Sequence, residues 1–128
     1  MKFFSFINES DVWHYFEKTT DMPFYDDMMN SPDYFRKNKK LAGKIEMMSP
    51  YKYYQECGKL HKSSAAKQEE AVDPLRVEVI LKSIQDKGTK MNLPLLDYAY
   101  ETQEGRHRAK IAEKLGLKQI PVLVVHKV

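Results

Sequence analysis

The chain has one cysteine, Cys57, among 128 residues, one tryptophan, five glycines, and no apolar run approaching the ~18 residues needed to cross a bilayer. A lone cysteine excludes a disulfide framework and a cysteine metal cluster, and no metal site is expected. Internal repeats and low-complexity tracts are absent. The opening Met1-Lys2-Phe3-Phe4-Ser5-Phe6-Ile7 is too short and too quickly acidic for a secretion signal, so the cytoplasm is the expected compartment and no membrane association is expected. What is present is 42% hydrophobic residues, enough for one domain with a real core.

Charge is unevenly spread. The net charge is +3, yet residues 1–35 hold two lysines against seven acidic residues. Residues 36–67 hold nine Lys and Arg against two Glu. A lysine-rich run of this kind is more often a solvated face, but Arg36, Lys37, Lys39, Lys40 and Lys44 are also the residues that would lie along nucleic acid. Residues 1–44 are therefore expected to form a helical extension, acidic and then basic, ahead of a domain over 45–128.

In the extension, Asn8 or Ser10 is placed to cap a helix with Val12, Trp13 and Phe16 as an apolar stripe. Asp21-Met22-Pro23 ends it, Phe24 and Tyr25 can pack, and Asn30-Ser31-Pro32 starts a second short helix through Phe35. Such aromatics are usually core; an acidic, aromatic surface for a protein partner is the alternative. A short strand over 45–48 follows, then Ser49-Pro50 capping a helix over 51–57 that stops at Gly58. Tyr51, Tyr53 and Tyr54 are explained by helix packing or, if exposed, by stacking on bases. Residues 59–72 read as a loop or frayed helix. Asp73-Pro74 caps a helix from Leu75 to Lys87, closed by Gly88, on which Leu75, Val77, Val79, Leu81 and Ile84 predict extensive burial.

A strand over 93–100 leads to the stretch that dominates the sequence, Thr102-Gln103-Glu104-Gly105-Arg106-His107-Arg108-Ala109, which reads as a polar turn at Gly105 and then a short helix ending at Leu115-Gly116 before a buried strand over 120–125. The first turn of a helix presents unpaired N–H groups and partial positive charge, a natural anion site. Cations are electrostatically misplaced there by roughly 0.3–1 kcal/mol each, so Arg106, His107 and Arg108 together suggest an anion, with Gly105 allowing close approach and the guanidiniums gripping phosphate oxygens. Equally open is a structural role, with Arg108 paired to Glu104 or Glu101. Strand 93–100 pairing parallel to 120–126 predicts a crossover that puts residues 101–108 beyond the carboxyl end of the first strand.

The helix ending Lys82-Ser83-Ile84, the Gly88 stop, the strand led by Pro94, then Glu104-Gly105-Arg106-His107-Arg108-Ala109 and Ile120-Pro121-Val122 resemble the nuclease-like domain of ParB partition proteins. That superfamily also holds sulfiredoxin and a free-serine kinase. The resemblance covers about residues 45–126 and is strongest from 74 onward. It implies an α+β fold, a short mixed sheet flanked by helices, and a Gly-x-x-Arg signature that in several members grips nucleotide phosphates. It also implies contacts from Arg76 and Ser83, which share a helix face, although Val79 stands where a further hydroxyl is expected.

Sulfiredoxin chemistry is not expected, because the two positions inside the motif are Arg106 and His107, not cysteine. The serine-kinase relatives carry an acid before the glycine, where Glu104 stands as the catalytic candidate, either as base or beside magnesium. ParB proteins carry Gly-Glu-Arg-Arg and bind a cytidine triphosphate; Arg106 replaces that Glu here, so nucleotide identity does not carry over. Their downstream helix-turn-helix and dimerisation domains have no room in this chain. The pattern looks most like free-standing, often phage-borne ParB-like proteins.

Three expectations follow. A nucleotide triphosphate with magnesium binds at Gly105, Arg106, His107, Arg108, Arg76 and Ser83, as a switch or for phosphoryl transfer or hydrolysis. Alternatively, the 36–67 lysines make a DNA-binding or DNA-cleaving module. In the third reading, the N-terminal extension recruits a protein partner.

Overall fold

A computed structural model of the chain describes residues 11–17 and 41–127. The fold is α+β. Among the described residues, strands β1 (Leu41–Met48), β2 (Leu95–Asp97), β3 (Thr102–Glu104) and β4 (Ile120–Lys127) form one sheet in the order β1-β4-β2-β3. Four helices accompany it: α1 (Pro50–Leu60), α2 (Ala65–Glu70), α3 (Pro74–Lys87) and α4 (Arg106–Lys114). No helix among these is long and apolar enough to cross a membrane.

Caps and prolines set most boundaries. Ser49 Oγ accepts the Lys52 N–H at 3.0 Å ahead of Pro50, and Asp73 Oδ1 accepts the Leu75 N–H at 3.0 Å ahead of Pro74. Gly88, at φ 68°, closes α3 in the left-handed conformation that favours glycine. The helix over Pro74–Lys87 and the parallel pairing of β2 with β4 match the sequence reading.

Other boundaries differ from expectation. β1 starts four residues early, at Leu41, because its whole length pairs antiparallel with β4, from Leu41 opposite Lys127 to Met48 opposite Ile120. Gly58 does not stop α1. It lies buried inside the helix, where a Cβ would stand 2.6 Å from the Ser63 carbonyl oxygen, so its smallness serves packing rather than termination. The stretch 59–72, read as a loop, contains α2, capped by Ser64 Oγ on the Lys67 N–H. Leu75 and Val79 are exposed, at 76% and 69%, and only Val77 and Ile84 of α3 are buried; the helical spacing overcounted its apolar face. Near the N-terminus, the expected helix is a short 3-10 turn, Asp11–His14. Val12 and Phe16 are core, and the segment is tied in by paired bonds of 2.7 Å between residues 15, 17 and Met91. The second short helix and the Phe24 and Tyr25 packing fall outside the described residues.

β4 is buried from Ile120 through Val125, so both faces of this central strand are covered. It shares one buried core with Leu93, Leu96, Ile111, Ala112 and, from α1, Tyr53, Tyr54 and Cys57. Full burial of an aliphatic side chain such as Leu96 or Ile111 stabilises by roughly 1.5–3 kcal/mol.

One difference governs the site. The expected strand over 93–100 is only Leu95–Asp97; the chain then turns through 98–101 and runs back as β3, pairing Thr102 with Asp97 and Glu104 with Leu95. Gly105 and α4 therefore begin beside the amino end of β2. The crossover rule placed them beyond the carboxyl end, and the intervening hairpin overturns that placement.

Candidate functional site

Gly105 is the hinge between β3 and α4. Its φ of 135° is strained for any side chain, and a Cβ would lie 2.7 Å from both Cα and Cβ of Pro94 and 3.2 Å from the Tyr53 hydroxyl. Its open side is thus filled by Pro94, which corrects the expectation that the missing side chain makes room for a ligand. Tyr53 holds the junction from below, donating its hydroxyl to the Leu95 carbonyl at 3.1 Å.

The helix that starts here has no side-chain cap and no acid in its first turn. Its first positions are Arg106, His107 and Arg108, and each side chain is fixed by a protein acceptor or donor. Arg106 Nη1 donates to the buried Gln68 Oε1 of α2 at 2.8 Å. Arg108, whose side chain is only 13% exposed, donates to the Leu93 carbonyl at 3.3 Å and pairs with Glu104. Of the two partners left open by the sequence, Glu104 is the one used; its own side chain is 64% exposed. His107 Nε2 accepts the Asp73 backbone N–H of the α3 cap at 2.9 Å.

That last bond has a chemical consequence. An amide N–H can only donate, so Nε2 must present its lone pair and the imidazole carries its proton on Nδ1. Burial, and next the positive charge of Arg76, hold the His107 pKa below its ordinary value. Arg76 is therefore near enough to the ring for its charge to act on it. Ser83 is not brought to the α4 start. Its hydroxyl pairs with Thr89 at 2.8 Å near the far end of α3, about 15 Å along the helix from the Asp73 cap.

Of Arg36, Lys37, Lys39, Lys40 and Lys44, expected to meet nucleic acid, only Lys44 is among the described residues, and the other four lie outside them. Lys44 pairs with Glu46 at 3.2 Å on the edge strand β1; further along the 36–67 run, Lys52 and Lys59 both pair with Glu56. Of the three tyrosines weighed for base stacking, Tyr53 and Tyr54 are buried and only Tyr51 is exposed. Cys57 is buried as well, and that burial pushes its thiol up to about 12, which disfavours the reactive thiolate. Among the described residues, no group of three or more His, Cys, Asp or Glu is arranged to hold a metal ion.

Sequence reasoning missed Gln68 and the Asp73 amide as partners of the basic turn. The signal for Gln68 was available: Ser64 followed by Ala65-Ala66-Lys67-Gln68-Glu69-Glu70 is a cap and a run of strong helix formers. A groove of about 500 Å³ opens nearby, lined by Ala66, Glu69, Val72, Pro74, Val77 and Lys110 among others, but none of residues 104–108 lines it. Lys110 there is committed to Glu69 and Glu113. No family model, characterised protein or solved structure matches this chain.

Proposed function

We propose that the start of α4 binds the phosphates of a nucleotide triphosphate. The observation that carries this reading is the uncapped helix start bearing Arg106, His107 and Arg108 with no acid in its first turn. Such a terminus places partial positive charge and free N–H groups where the cationic side chains also gather, an arrangement that only an anion satisfies fully. The two guanidiniums are already held in place by Gln68 and by the Leu93 carbonyl, so little side-chain entropy would be lost on binding. Arg76, exposed and close enough to act on His107, adds a further cation. Ser83 is left out of the proposed site.

Glu104 is the exposed partner of Arg108, and its carboxylate stands in for the anion that the guanidinium would otherwise meet. A phosphate would displace it. Freed at the edge of the site, Glu104 is the proposed general base for phosphoryl transfer or hydrolysis, and magnesium would arrive already coordinated by the phosphates.

The test is a thermal-shift panel of ATP, ADP, CTP and GTP, with and without magnesium, on the wild type and Arg108→Ala. At ~100 times the dissociation constant, binding adds about 2.7 kcal/mol, several degrees for a domain of this size. A shift for at least one nucleotide, lost in Arg108→Ala relative to that variant's own unliganded melting temperature, is the expected result. A flat panel sinks the reading.

A further inference from the structure

We infer that anion binding at the α4 start is linked to proton uptake by His107, whose neutral ring is docked on the α3 cap and leaves it when protonated. This rests on the phosphate-binding reading and specifies how that site responds to pH.

The geometry forces the link. The Asp73 backbone N–H donates to His107 Nε2 at 2.9 Å, and that bond exists only while Nε2 is unprotonated. A proton on Nε2 turns an acceptor into a second donor facing a donor, so the ring must leave Asp73. The groups facing the ring decide when this happens. From α3 come the Arg76 cation and the Asp73 carboxylate; from its own helix come Arg106 and Arg108. Of the α2 acids, Glu69 is committed to Lys110. Burial first, and then three cations against one carboxylate, disfavour a positive charge on the ring.

An anion seated at the α4 start reverses that balance. It screens Arg106, Arg108 and Arg76 from the imidazole and supplies an acceptor for the Nε2–H. The proton comes from solvent, and the Asp73 N–H released from the ring passes to water. Linkage then requires that the anion bind more tightly as pH falls through the range between the free and bound pKa values of His107, by about tenfold for each unit the pKa rises. Without the anion the sign is opposite for stability. A histidine with a lowered folded pKa favours folding above its ordinary pKa and loses that contribution as pH falls toward the lowered value.

The experiment is an NMR titration of the full chain with sulfate, whose charge is constant over the range, from about pH 7.5 to about pH 5.5, on wild type and His107→Gln. Glutamine keeps an acceptor for the Asp73 N–H and cannot titrate. In the wild type the ring is expected as the Nδ1–H tautomer at neutral pH, its pKa rises on adding sulfate, and sulfate affinity rises several-fold as pH falls. In His107→Gln the affinity should be flat. Equal pH dependence in both proteins, or an unmoved His107 pKa with sulfate bound, overturns the proton link and leaves the phosphate site standing. Failure of sulfate to bind at any pH overturns both.

Discussion

The two ends of β2 hold the two main polar clusters of the described structure, and they are built on opposite principles. At the carboxyl end, Asp97 is buried and its Oδ1 accepts the Ala99 and Tyr100 N–H groups at 2.9 and 3.0 Å, closing the turn into β3. Beside it, Glu56 of α1 accepts the Tyr98 hydroxyl at 2.5 Å and pairs with Lys59 at 2.8 Å and Lys52 at 3.2 Å, while the Tyr98 ring stacks on His126. Both acids there are met by several donors. At the amino end, Arg106, His107 and Arg108 crowd an uncapped helix start, and the acid that answers them, Glu104, is mostly exposed. Saturation marks a cluster that holds the fold; the surplus positive charge at the other end is what the phosphate-binding proposal rests on.

The comparison breaks most visibly if the amino end loses its hinge. Gly105→Ala would place a methyl 2.7 Å from Pro94 while forcing a side chain onto a φ of 135°. Strain and overpacking together are expected to cost about 3 kcal/mol or more. Thermal melting should show a fall on the order of ten degrees, larger than for any substitution among the charged residues of the same turn. A shift of a degree or two would mean that Pro94 and β3 yield easily, and that the α4 start is not held in a fixed place.

The carboxyl end is expected to respond next, and to acid in particular. Burial raises the Glu56 carboxyl, but the hydrogen bonds from Lys59, Tyr98 and Lys52 outweigh it and bring the pKa to about 2. A depressed folded pKa contributes stability above the ordinary carboxyl value of 4.5, and that contribution is lost as pH falls from there toward 2. Glu56→Ala is expected to cost about 2 kcal/mol at neutral pH and to flatten the acid limb of the stability curve, read by urea unfolding across that range. An unchanged acid limb would show that the cluster is not what ties the 98–101 turn to α1.

How legible these two ends are in the sequence differs for physical reasons. Local signals read correctly: the Asp73-Pro74 cap, Gly88 as a left-handed stop, and β4 as a continuous apolar strand depend on neighbours within a few residues. Arg108 paired with Glu104 is also local, four residues apart, and is one of the two pairings that the sequence leaves open. Contacts made at long range are not legible. Glu56 with Tyr98, Arg106 with Gln68, and His107 with Asp73 join residues 42, 38 and 34 positions apart, and no periodicity announces them. The placement of Gly105 fails on three residues: Thr102–Glu104 reads as a polar turn because β3 is short and two of its three side chains are exposed, so its strand pattern is too brief to see. That one hairpin moves the basic turn from one end of β2 to the other.

The smallest expected effect is the one that tests the amino end most directly. Glu104 is 64% exposed and glutamine keeps an acceptor oxygen for the largely buried Arg108 guanidinium, so Glu104→Gln should change stability by less than about 1 kcal/mol. For a ligand the same change is not small. If the carboxylate occupies the place at Arg108 that a phosphate would take, neutralising it removes a competitor, and nucleotide affinity measured calorimetrically without magnesium should tighten by several-fold, about 1 kcal/mol. Turnover, if the bound nucleotide is hydrolysed or its phosphoryl group transferred, should fall in the same variant, since the neutral amide could not accept a proton as the carboxylate does. Tighter binding with lost turnover is the combination that assigns Glu104 both roles. Unchanged affinity would mean that the anion does not meet Arg108 where Glu104 does, and the amino end would then be a second saturated cluster, differing from the carboxyl end only in its exposure.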